Sequence, residues 1–219
     1  MLLSGGVDSA AALWLMKKSY DVYGLSFRYG ERNRNEMRAA KQLAGAAGVT
    51  DHTITDVGFL RDIAEITAAE GGKGKRKVEQ GVSSCYVPGR NTIFLGIAAH
   101  FAEIKGATRI VTGHNFEDSF PDAKPGYFRA INRTIAIGSG GVTANEAIKV
   151  VAPFLWMSKA QVLRKAIKLN VPLELTWSCY EDGGTPCGTC HGCVSLKRAV
   201  EEIKAEKGGR GSNALQSSV

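Results

Sequence analysis

The sequence predicts an α/β protein, a doubly wound and mostly parallel sheet followed by a small cysteine-rich C-terminal segment. Three observations carry that expectation. Short apolar runs alternate with amphipathic stretches, a rhythm that implies right-handed crossovers between parallel strands. A serine–glycine turn, SGGVDS (Ser4 to Ser9), stands where the first strand should pass into the first helix. Four of the five cysteines fall between Cys179 and Cys193.

The elements follow in order. MLL is a very short first strand, and Ala10 to Lys18 reads as a helix with Leu13, Leu15 and Met16 among its apolar positions. Asp21 to Phe27 is a second strand. Asn35 to Ala47 is a helix closed by Gly48. Asp51 to Val57 has the alternation and β-branched content of a third strand. A long helix over Asn91 to Lys105 precedes a buried strand, Thr108 to His114, and Lys149 to Met157 is the next extended piece. Ser158 is a good N-cap for a helix over Lys159 to Leu169. Glu70 to Gly81, which contains KGKRK, and Gly138 to Asn145 read as loops, and the tail after 207 reads as disordered.

Composition narrows the class. A chain of 219 residues with 44% hydrophobic content can bury the core of one domain with room for a small appendage. No apolar run approaches the ~20 residues of a membrane span, and the start lacks the flanks of a secretory signal. A cytoplasmic protein is expected. The net charge of +7 admits an anionic partner without requiring one.

SGGVDS has a physical rationale. Amides at the carboxyl end of a parallel strand and at the following helix N-terminus form a ready anion site. Gly5 and Gly6 let backbone approach a phosphate, and Ser4 and Ser9 add hydroxyls. Asp8 beside phosphate makes sense if Mg²⁺ lies between them, or if it caps the loop's own amides. No GK[ST] follows, so the run is not a Walker A loop. On these residues alone, an ordinary capped helix start remains an equal alternative.

The cysteines are spaced Cys-x7-Cys-x2-Cys-x2-Cys, and in a chain without an export signal such clustering favours metal over disulfides. Four thiolates, Cys179, Cys187, Cys190 and Cys193, suit a closed structural zinc site. An iron–sulfur cluster and a catalytic cysteine pair are the rivals. His191 reads as a bystander and Cys85 as a plain thiol. Arg90, after the turn at Pro88 and Gly89, is either a bidentate anion contact or a surface arginine.

Six stretches in this order, SGGVDS, LSFRYGER, VPGRNTIFL, VTGHNFED with FPD, APFLWMSKAQV, and TWSCY leading into CGTCHGC, resemble the 7-cyano-7-deazaguanine synthase (QueC) family. The loop itself resembles that of the N-type ATP pyrophosphatases. The resemblance runs from Leu2 to about Ile203.

It implies an adenine nucleotide alpha hydrolase-like fold in three parts: an ATP-pyrophosphatase domain over 1–172, a zinc-binding segment over 173–207 and a tail over 208–219. It implies conversion of 7-carboxy-7-deazaguanine and ammonia to the nitrile, at the expense of ATP, through an adenylated acid and an amide. Leu3, Ser4, Gly5, Gly6, Val7, Asp8 and Ser9 would hold ATP, with Ser26, Phe27 and Gly113 near adenosine. Arg90 and Lys159 would stabilise charge, and Asp8 with Asp122 would hold Mg²⁺. Zn²⁺ would be structural at the four cysteines, and a homo-oligomer is compatible with the family. Arg28, Glu31, Asn33, Ala123 and Lys124 depart from the common family pattern and bear on substrate identity. The nearest rival is a paralogue joining the same adenylated acid to an amine of a protein or RNA. An RNA-binding zinc module and a transfer-RNA thiolating enzyme are more distant ones.

Overall fold

A computed structural model describes residues 1–28, 34–60, 88–118, 120–139 and 147–206. The sheet is built outward from the first three residues. Leu3 N donates to Leu25 O (2.9 Å) and Leu25 N to Met1 O (2.9 Å), while Leu2 N donates to Val111 O on the other side (2.8 Å). Strand β1 (Tyr23–Arg28) pairs in parallel with β2 (Asp51–Asp56), Tyr23 opposite Asp51. Strand β3 (Arg109–Val111) pairs in parallel with β4 (Lys149–Val151). The spatial order is therefore β2, β1, the opening segment, β3, β4, the doubly wound arrangement expected.

Alternate side chains of the strands feed two cores. On one face Leu3 and Val111 meet α1 (Val7–Met16), α2 (Arg34–Ala47), α5 (Lys159–Lys168) and α6 (His191–Glu206). On the other, Leu25, Phe27, Ile110 and Val150 meet α3 (Arg90–Ile104) and α4 (Pro125–Gly138). The cysteine-rich segment ends in α6, whose Ala199, Val200 and Ile203 are buried in the first of these cores.

Most expected elements are present with shifted ends, and two expectations change. The run from Lys149 to Met157 is strand only to Val151, after which Leu155 N and Met157 N close turns on Ala152 O and Phe154 O. Helix α4 was hidden by Pro121, Pro125 and Gly126, which suit its entry: Pro125 opens the helix, where a missing amide hydrogen costs nothing. The loops at 70–81 and, from 140, 138–145, as well as Cys85 and the tail from 207, lie outside the described residues.

Candidate active site

The order of the sheet reverses between the opening segment and β3, the switch point where ligands bind in open α/β sheets. SGGVDS occupies that point. Gly5 has φ +84°, and a Cβ there would lie 2.4 Å from Glu36 O of α2. Gly5 is thus demanded twice, by its backbone conformation and by the close passage of α2. Gly6 is different: a Cβ there would meet nothing nearer than Ser4 Oγ at 3.6 Å. It is the N-cap of α1 and brings no capping side chain, while its own amide donates to Ser4 Oγ (3.4 Å). The ground before the uncapped first turn stays clear, which fits a phosphate group.

The loop hydroxyls brace the turn. Ser9 Oγ donates to Gly6 O (2.9 Å) and accepts from Ser4 N (3.3 Å). Gly113, leaving β3, passes so close to α1 that a Cβ would stand 2.7 Å from Ser9 N. It lines the cavity as well.

Asp8 Oδ2 pairs with Lys159 Nζ at 2.5 Å, whereas Asp8 Oδ1 is buried with no hydrogen-bond partner among the described residues. A buried carboxylate oxygen without a donor is a free-energy debt that a cation would remove, so Asp8 fits Mg²⁺. Lys159 is only 8% exposed. It is held by the first turn of α5, where Ser158 and Gln161 form a reciprocal capping box, and Glu117 Oε1 accepts from its amide (2.8 Å).

A cavity of about 440 Å³ opens in front of the loop. Leu2, Leu25, Phe27 and Phe94 are among its apolar lining residues, the two phenylalanine rings stacked at 4.1 Å. Asp8, Arg90, Asn91, His114 and Asp118 are among its polar and charged lining residues. Asp118 Oδ2 accepts from Asn115 N (2.9 Å), and burial pushes its carboxyl above the usual range, partly offset by His114. Burial holds the His114 imidazole below its usual range against the raising influence of Asp118 and Asp122.

The structure thus gathers Leu3, Ser4, Asp8, Ser9, Phe27, Arg90 and Gly113 around one cavity. Lys159 reaches it through Asp8. Ser26 stands apart: 1% exposed, it donates to Leu3 O (2.5 Å) and contacts His52 Nε2 (2.8 Å), so it joins strands. Asp122 also lies off the lining, where its Oδ2 accepts from Asn91 N (3.2 Å) at the start of α3. Asn91, His114, Asp118 and Tyr180 line the cavity without having been singled out as site residues. All four lie in the stretches that carry the family resemblance, Asn91 in VPGRNTIFL, His114 and Asp118 in VTGHNFED and Tyr180 in TWSCY, and that was their signal in the sequence.

The sulfurs of Cys179, Cys187, Cys190 and Cys193 all lie within 4.8 Å of one another. Amides of Glu181 and Cys187 donate to Cys179 Sγ and that of Cys190 to Cys187 Sγ, each at 3.3 Å. The amides of Cys190 and Thr189 bring the Cys187 thiol down to about 6. Four convergent sulfurs, the Cys187 thiol among them already favouring the thiolate, fit one tetrahedral ion. A four-iron cluster binds each thiolate to a different iron and needs a wider set. The same segment is tied to the loop: Trp177 N donates to Gly5 O (2.9 Å), and Asp182 accepts from Arg34 N (2.8 Å) and Asn35 N (2.9 Å) at the start of α2.

Among the described residues, no helix is long and apolar enough to cross a membrane. The sequence model of the family described as "Queuosine biosynthesis protein QueC" matches residues 1–204. A 7-cyano-7-deazaguanine synthase of Oceanobacillus iheyensis is 38% identical over 210 residues, 94% of each chain. Another, from Prochlorococcus marinus strain MIT 9303, is 36% identical over 92% of this chain and 91% of its own. Among solved structures, the NMN synthetase of Francisella tularensis aligns with a TM-score of 0.51 at 12% identity, over 98% of this chain and 88% of that one. The U34-tRNA thiolase NcsA of Methanococcus maripaludis, solved with its [4Fe-4S] cluster, also gives 0.51, at 15% identity, over 95% of this chain and 66% of that one. These two likenesses bear on the fold alone.

Proposed function

The chain belongs to the QueC family, and from that premise we propose that it is a 7-cyano-7-deazaguanine synthase, converting 7-carboxy-7-deazaguanine and ammonia to the nitrile at the expense of ATP. The observation that carries this reading is the uncapped, glycine-cleared start of α1, with Asp8 and Lys159 paired beside it at the mouth of the cavity.

The chemical problem is a poor leaving group. Ammonia cannot displace oxide from a carboxylate, and ATP supplies the remedy by transferring its adenylyl group to that oxygen. The chain's own work is positioning and charge neutralisation. The first-turn amides of α1 hold the departing pyrophosphate, with Lys159 and Arg90 neutralising charge around it. Asp8, through its free oxygen, holds Mg²⁺. The Phe27–Phe94 pair and the two leucines offer a flat apolar surface for a heteroaromatic ring. A second adenylation, now on the amide oxygen, lets that oxygen leave and the nitrile form. The four cysteines hold a structural Zn²⁺ outside the chemistry.

Incubating the protein with the deazaguanine acid, ATP, Mg²⁺ and ammonium tests this. Pyrophosphate release that depends on the acid, with the nitrile detected by mass spectrometry, is expected. Turnover appearing only when a protein or RNA acceptor is added would replace it with a conjugating activity.

A further inference from the structure

Asn91, the second residue of α3, has its amide orientation fixed by its neighbours. Its Nδ2 donates to Asp122 O (3.1 Å), and a carbonyl oxygen only accepts, so the nitrogen must face it. The second Nδ2 hydrogen points to His114 Nε2 (3.2 Å). That nitrogen is therefore the unprotonated one, which leaves Nδ1 of the neutral ring to donate to Thr112 Oγ1 (3.0 Å). Asp122 Oδ2 fixes the same residue from its backbone side (3.2 Å). With both hydrogens engaged, Asn91 presents Oδ1 as an acceptor that meets no donor among the described residues, on a side chain lining the cavity.

An oriented acceptor selects a donor. Phosphate oxygens and the acid's carboxylate are themselves acceptors and would be repelled. Resting on the function proposed above, we infer that Asn91 Oδ1 binds an N–H of the incoming ammonia and, after amination, an N–H of the amide. One acceptor then serves both halves of the reaction, because the nitrogen keeps N–H bonds until the nitrile forms. His114 and Asp122 are positioning residues: they hold the asparagine amide in the one orientation that turns oxygen, not nitrogen, toward the ligand. Asn91 also shares the cavity lining with Asp8, His114 and Asp118.

The test separates amination from adenylation. Steady-state kinetics of Asn91→Ala, varying ammonium at saturating ATP and acid, should show the ammonium KM raised about tenfold, the scale of one lost hydrogen bond. Acid-dependent exchange of pyrophosphate into ATP, which needs no ammonia, should fall by a clearly smaller factor. His114→Gln, which leaves the bond to Asp122 O in place, should raise the ammonium KM by a smaller factor, and it stands in should Asn91→Ala not fold. An unchanged ammonium KM in both variants, a rise confined to the KM of the acid, or an equal fall in exchange and amination would overturn the assignment. Wild-type protein that makes no nitrile overturns both this inference and the proposed function. Wild-type protein that makes nitrile, with variants of normal ammonium KM, overturns this inference alone.

Discussion

Asp8 shows how one residue carries two burdens. One carboxylate oxygen compensates the nearly buried Lys159 ammonium, while the other has no partner among the described residues. Asp8→Asn should therefore abolish pyrophosphate release, at least 100-fold down. It should also destabilise the fold by about 2 kcal/mol, since Lys159 loses its partner in a site little open to water. Paired assays of release and urea unfolding would check this, and an Asp8→Asn protein of unchanged stability would show that the pair contributes only to chemistry. The imidazole of His114 gives a pH prediction. Its folded pKa lies below the ordinary 6.5 because of burial, so the unfolded chain takes up the proton first. The stability this site contributes is present above 6.5 and is lost as pH falls through that value toward the folded pKa. Ring proton shifts followed by NMR across a pH series should place the His114 midpoint below 6.5. At this scale, glycines were the legible part of the site, because a missing side chain beside a helix start has few explanations. Asn91, His114 and Asp118 were not, because their meaning comes from contacts among segments far apart in sequence.

Among the elements, period and capping chemistry explain both what could be read and what could not. Ser158 announced α5, and the structure adds Gln161 as its reciprocal capping partner. Ser158→Ala should cost about 1 kcal/mol in urea unfolding. It should also weaken the placement of Lys159, the first residue of that helix, so pyrophosphate release should drop several-fold more than the stability loss alone explains. An equal stability and unaltered release would deny the cap that role. Helix α4 went unread because Pro121, Lys124, Pro125 and Gly126 look like a turn, although Phe128, Ile131 and Ile135 keep helical spacing and are buried. The strand at Lys149 was overextended for the opposite reason. Ala152 to Met157 is apolar enough for a strand, but Phe154 is buried from within a turn and Trp156 is 72% exposed. Apolar content marks burial without saying which backbone delivers it.

For the whole molecule, the alternation of strands and helices sufficed for the doubly wound architecture, whereas the attachment of the cysteine-rich segment to the SGGVDS loop came only from three dimensions. Two independent ties make that attachment. Trp177 N bonds Gly5 O directly, and Asp182 caps α2, whose Glu36 carbonyl lies against Gly5. Gly192 at the start of α6 permits the closest approach within the segment, since a Cβ there would stand 2.0 Å from Ser178 O. A metal at the four thiolates therefore stabilises a polar segment and, through it, the floor of the loop. Chelation under reducing conditions should lower ATP affinity about tenfold while amide exchange in β1 stays protected, because β1 belongs to a core the segment does not build. Asp182→Ala should reproduce the affinity loss with metal content retained, which separates the tie from the ion. Metal-free protein that binds ATP as tightly as the metal-loaded form would mean the loop is held by the sheet alone.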